Sequence, residues 1–182
     1  MTAPFGASEW AVTASNSAGG AGRIYHVLAV DRYDDPQPGT VSISGMENTT
    51  RMDTEADAIC FLVAVAAAGE LAPGSLLVAF ADHAGHSCGA IAVDDVPADP
   101  PQHSRVRALA PLLRGLAAAD RCAGVLLAIA RQGDPRAQGG DLAWHDAFAG
   151  TSRVAGLHCH GTYVVTPSGI RRVRPGRRTV TA

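Results

Sequence analysis

Apolar and polar residues alternate through residues 23–32, RIYHVLAVDR, which predicts a half-buried strand. The cluster YDDPQPG at 33–39 is a turn, and residues 41–44 are read as a short partner strand. The period then lengthens. Residues 54–70 are predicted to form a helix capped by Asp53, with Ala56, Ile59, Cys60, Val63 and Ala67 on one face. Residues 76–81 and 90–93 read as two strands of a hairpin around the polar turn at 82–86. After a proline-rich break at 97–101, a helix is expected over 104–119, with Val106, Leu109, Leu113 and Leu116 facing inward and Pro111 as a point of interruption or kink. The continuous apolar run at 124–130 is the pattern of a central strand covered on both faces. A helix over 141–155 and a strand over 163–166 complete the series.

This order of elements predicts an α/β (α+β) fold, a mixed sheet with helices packed against it. Three regions are expected: a flexible N-terminal arm at 1–22, which shows no lasting periodicity, one α/β domain at 23–170, and a basic C-terminal tail at 171–182. With 182 residues, 47% hydrophobic and 18% charged, the chain can bury one sizeable core and is not of disordered composition. A net charge of -2 gives no global attraction to nucleic acid or anionic lipid. All 15 basic residues are arginine, which removes lysine Schiff-base and lysine general-base chemistry. Cys60, Cys88, Cys122 and Cys159 form no C-x-x-C pair, and Cys60 and Cys122 lie in apolar runs expected to be core. No signal-peptide pattern opens the chain and no apolar segment is long enough to span a bilayer, so a cytoplasmic protein without membrane contact is expected.

The most telling motif is AIARQGDP at residues 128–135, with Asp141 at the head of the following helix. Together with the element order over 75–173, it resembles the RadC branch of the JAB/MPN metal-dependent hydrolases. Members of that branch carry HNHPSGDP at the end of a buried strand, then a serine, an aspartate, a helix and a strand. Gly133, Asp134 and Pro135 match, and Asp141 falls at the metal-binding aspartate. The two zinc histidines correspond to Ala128 and Ala130, the proline to Arg131 and the serine to Gln138. The resemblance implies a three-layer JAB/MPN-like arrangement. It also implies loss of the metal, because methyl groups supply no lone pair and a hydrolytic zinc needs about three protein ligands beside its water. Asp141 has a structural role open to it as well, capping its helix.

Two histidine groups offer an alternative metal site. His158-Cys159-His160, followed by Ser168, reproduces the His-x-His-x7-Ser spacing of the metalloprotease motif, but Arg171 stands where an anionic ligand belongs. His83, His86 and Cys88 form a second group in the hairpin turn. Zinc held by His158, His160, His83, His86 and Asp141 would be possible only if the two turns share one end of the sheet. The pair His145 and Asp146 reads as solvated surface. Arg171, Arg172, Arg174, Arg177 and Arg178 concentrate five cations at the C-terminus, a candidate for phosphate-backbone contact without an aromatic platform. No nucleophile elbow, Walker lysine or dinucleotide fingerprint is present. Three functions are therefore expected in descending order. The first is a non-catalytic RadC/JAB-MPN-like module for protein contact, or nucleic-acid contact through the arginines, with no cofactor. The second is a zinc-dependent isopeptidase or peptide hydrolase using His158 and His160. The third is a small-ligand-binding domain.

Overall fold

The structure is a computed structural model. It describes residues 50–69, 71–119 and 122–175, together with the backbone of strands β1 (Trp10–Ser15), β2 (Ile24–Ala29) and β3 (Val41–Ser42). The remaining elements are α1 (Glu55–Ala67), β4 (Leu76–Ala81), β5 (Ser87–Val93), α2 (Gln102–Ala117), β6 (Gly124–Ala130), α3 (Gly139–Ala155), β7 (His158–Thr166) and β8 (Gly169–Arg172). The main sheet has the order β3-β5-β4-β6-β7-β8. The pair β6–β7 is parallel and every other pair antiparallel, so the fold is the mixed-sheet α+β class that the element order predicts.

β6 is the centre of the molecule, and all seven of its residues are buried. Val125, Leu127 and Ile129 pack with Leu109 and Leu113 of α2 and with Trp144 and Phe148 of α3. Leu126 and Ala128 face the other way, toward Phe61, Leu62 and Val65 of α1 and Tyr163 of β7. Side chains alternate across a strand, so two helical layers on opposite faces need a strand that is apolar at every position. The result is three layers: α1, the sheet, and α2 with α3.

Several local expectations are corrected. The N-terminal region contains β1, which pairs with β2 in a separate two-stranded sheet, and β3 joins β5 rather than pairing with β2. Thr54, not Asp53, caps α1: its hydroxyl accepts the Asp57 N–H at 3.1 Å, while Asp53 pairs with Arg51 at 2.7 Å. α1 buries Ala58, Phe61, Leu62 and Val65, and leaves Cys60 and Val63 exposed. Its sequence is apolar nearly all round, so periodicity does not choose a face, and the larger side chains take the sheet side. α2 runs through Pro111 to Ala117, and buries Arg105 where Val106 was expected. That guanidinium lies 5.6 Å from the centre of the Trp144 ring and pairs with Asp99. β7 begins five residues before its predicted start. Gly156 closes α3 in the left-handed conformation (φ 77°), and the chain pairs at once with the first residues of β6. β8 takes in Arg171 and Arg172, and Val173 beyond it is buried, so the folded domain extends past the expected boundary at residue 170. None of the described helices is long and apolar enough to cross a membrane.

Candidate functional site

The carboxyl end of β6 is where the motif Ala128–Pro135 leaves the sheet. Ala128 and Ala130 share one face of β6 and are fully buried, so their methyls fill the α1-side core. The next residue, Arg131, turns over the loop. Its Nη1 donates to the backbone carbonyls of Gln132 (3.1 Å) and Asp134 (2.9 Å), and its Nη2 to that of Arg136 (2.8 Å). Nη2 also reaches Asp141 Oδ2 at 2.9 Å, and Nε lies 3.3 Å from both carboxylate oxygens. Asp141 sits in the first turn of α3, where its carboxylate also accepts the Gln138 N–H at 2.8 Å. A carboxylate at a helix N-terminus with a guanidinium against it is satisfied on every side. The side chains are 18% and 6% exposed, so water screens the pair little. The loop is pinned further where the Ser168 hydroxyl donates to the Gly133 carbonyl at 3.1 Å.

Zinc does not fit this arrangement. Two of the ligand positions implied by the resemblance are methyl groups in the core, and the third is a carboxylate already held by a cation. Sequence spacing located Asp141 at the helix start, but not the role of Arg131, whose five donors act only once the loop has closed.

The histidines lie at the opposite end of the sheet. Ala81 pairs with both Ser87 and Gly124, and Gly124 with His158, so the β4–β5 turn and the start of β7 do share one end, while Asp141 is at the other. His83 is exposed in the turn. The Asp82 carboxylate accepts the N–H groups of Ala84 and His86, each at 2.9 Å. Those backbone bonds, that of His86 first, hold its pKa below the ordinary carboxylate value. His158 and His160 meet edge to face at 4.7 Å between ring centres. His160 is the extra residue of a bulge: Val125 pairs with Cys159 and Leu126 with Gly161. Its ring covers Gly124, where a Cβ would collide with Nε2. Burial, and then the neighbouring His158, lower the His160 pKa against the raising effects of Asp53 and the Met52 carbonyl. Among the described residues no three His, Cys, Asp or Glu side chains are arranged to hold a metal. The composite site of His83, His86, His158, His160 and Asp141 is therefore not assembled.

Other candidates are also placed. His145, expected to be solvated, is half-buried, with Nδ1 3.0 Å from the hydroxyl of the buried Thr162. Burial lowers its pKa, ahead of a smaller raising effect from Asp146. Cys122 is buried, and desolvation pushes its thiol up to about 11, which suits an inert core residue. Of the five C-terminal arginines, Arg171 and Arg172 belong to β8, and Arg174 follows it and pairs with Glu55 at 2.9 Å. Arg177 and Arg178 lie outside the described residues. Compared with known proteins, the chain matches no family model, no curated sequence and no solved structure.

Proposed function

We propose that this chain is a non-catalytic module of RadC-like JAB/MPN plan that works by contact with a protein partner. The observation that carries the reading is Arg131 on Asp141, beside buried alanines at 128 and 130. In the motif that the chain resembles, those positions hold a hydrolytic cation. Here a side-chain cation, covalently part of the loop, neutralises the one remaining acid. The arrangement keeps the architecture of the strand–loop–helix corner while giving up the ligands, so the corner serves stability rather than hydrolysis. A cytoplasmic setting belongs to the same proposal and suits a chain in which no disulfide joins the cysteines.

Metal analysis of untagged full-length protein tests it, with His158→Ala measured alongside. Less than about one-tenth of a zinc per chain in both proteins is expected. Stoichiometric zinc in the wild type that disappears in His158→Ala would overturn the reading in favour of a zinc hydrolase at His158 and His160.

Nucleic-acid contact is a second reading, favoured by the gathering of Arg171, Arg172 and Arg174 at one sheet edge. Its test is truncation after Pro175 combined with Arg171→Gln and Arg174→Gln, both exposed, which spares the strand β8 and the buried Val173, followed by DNA binding at two salt concentrations. Binding that weakens in that variant and falls steeply with salt supports a phosphate-tracking tail.

A further inference from the structure

Three segments meet beside the end strand β8. The loop after β6 brings Arg136 and Ala137, β8 and the residues after it bring Arg171, Arg172 and Arg174, and the first turn of α1 brings Glu55. They enclose an open cleft of about 410 Å³. Four arginines thus line a cleft whose lining holds one carboxylate. Glu55 Oε2 takes Arg174 at 2.9 Å and Arg172 at 3.5 Å. Arg136 reaches Asp134 only at 4.0 Å, with both side chains largely in solvent, and Arg171 has no ion pair among the described residues.

A second observation is independent of the arginines. Tyr163 is fully buried, and its hydroxyl has no hydrogen-bond partner among the described residues. Leaving a buried hydroxyl unpaired is costly and uncommon. Tyr163 is the cross-strand neighbour of Arg172, one of the residues that line the cleft. Arg172 and the tyrosine ring are packed together: a Cβ on Gly161 would stand 3.1 Å from Arg172 Nε and 3.3 Å from Tyr163 Cε2. The arginine-lined cleft thus lies beside a buried donor that is not itself part of the lining.

We infer that this cleft binds a phosphoryl group, with Arg172 and Arg174 as its bidentate partners, Arg171 and Arg136 at the rim and Glu55 as the counter-ion it displaces. The charge ratio favours a multiply charged group over a single carboxylate, and guanidinium forks match phosphate oxygens in pairs. The cleft is of the size that takes a small molecule. Among the described residues its lining has no aromatic side chain on which a nucleic-acid base could stack, which favours a phosphorylated small molecule over a single strand. The inference goes beyond the non-catalytic reading and does not need it, since a zinc result at His158 would leave the cleft untouched.

Calorimetric titration of the full-length chain with pyrophosphate, with inorganic phosphate and with a twenty-nucleotide single strand in parallel arms, tests it. One saturable pyrophosphate site per chain is expected. Arg171→Gln with Arg136→Gln, both exposed changes, should weaken it at least tenfold. Glu55→Gln should tighten it, because the ligand no longer competes with a carboxylate. Arg114→Gln, a loss of charge on the outer face of α2, should leave it unchanged. Circular dichroism of each variant separates loss of the site from loss of the fold. No saturable pyrophosphate binding, equal weakening by Arg114→Gln, weaker binding in Glu55→Gln, or saturable binding of the oligonucleotide alone would each overturn the inference.

Discussion

Replacing Arg131 with alanine tests the role given to the loop after β6. The substitution removes the cation from Asp141, which is only 6% exposed, and removes three donors to the carbonyls of Gln132, Asp134 and Arg136. Removing one partner of a buried ion pair costs about 3–5 kcal/mol, since the other charge is left desolvated and unmatched. Arg131 is 18% exposed and Asp141 keeps the Gln138 N–H, so relief by water lowers the expectation to about 2–4 kcal/mol. A domain of this size has about 5–15 kcal/mol of stability, so the variant should still fold. Asp141→Asn retains an acceptor for Gln138 and leaves Arg131 its three carbonyls, and should cost about 1–2 kcal/mol. The assay is urea unfolding followed by circular dichroism, where the midpoint should fall without a change of slope. In the Asp141→Asn background the cost of Arg131→Ala should shrink by about 1–3 kcal/mol, the coupling expected of direct partners. A cost below about 0.5 kcal/mol for Arg131→Ala, or strict additivity in the double variant, would refute the claim that this guanidinium holds the corner together.

Gly124→Ala should destabilise the protein by about 1–3 kcal/mol, because its methyl would meet the His160 ring; most of that loss should vanish in a His160→Ala background, as read by thermal unfolding. Tyr163→Phe should leave the free protein equally stable or up to about 1 kcal/mol more stable, since the lost hydroxyl has no partner among the described residues; a loss above about 1 kcal/mol would reveal a hydrogen bond. His145 and His160 both have folded pKa values below the ordinary histidine value. The unfolded chain therefore takes up protons first, and stability should fall as the pH drops through about 6.5 and toward the folded values. Denaturation midpoints from pH 7.5 to 5 check this, and a double His145→Gln, His160→Gln variant should show a flatter profile.

The local code of the chain was sufficient for the helices and the strands at the centre of the sheet. The unbroken apolar run at 124–130 marks β6 as central, because a strand covered on both faces cannot carry a polar residue on either. The turn at 82–86 places the hairpin, and Asp141 marks the first turn of α3. Ala128 and Ala130 already declare that no imidazole leaves the end of β6. Where the pattern was weak, the reading failed. In α1 nearly every position is apolar, so the buried face was settled by which side chains fill the gap over β4 and β6. HCHG at 158–161 has no strand-like alternation, yet it is a strand because β6 offers its open edge there.

The sequence by itself determined the fold class, the central strand and the alanines near its mouth, since those depend on residue type and on periods of two or 3.6 along a short stretch. Only the tertiary structure decided that Arg131 neutralises Asp141, that the hairpin turn and the histidines of β7 gather at the end of the sheet away from Asp141, and that Arg136, Glu55 and the arginines of β8 line one cleft. Those contacts join segments far apart in the chain. Their geometry is set by strand register, the bulge at His160 and the crossover through α3, none of which leaves a local signature in the residues that they bring together.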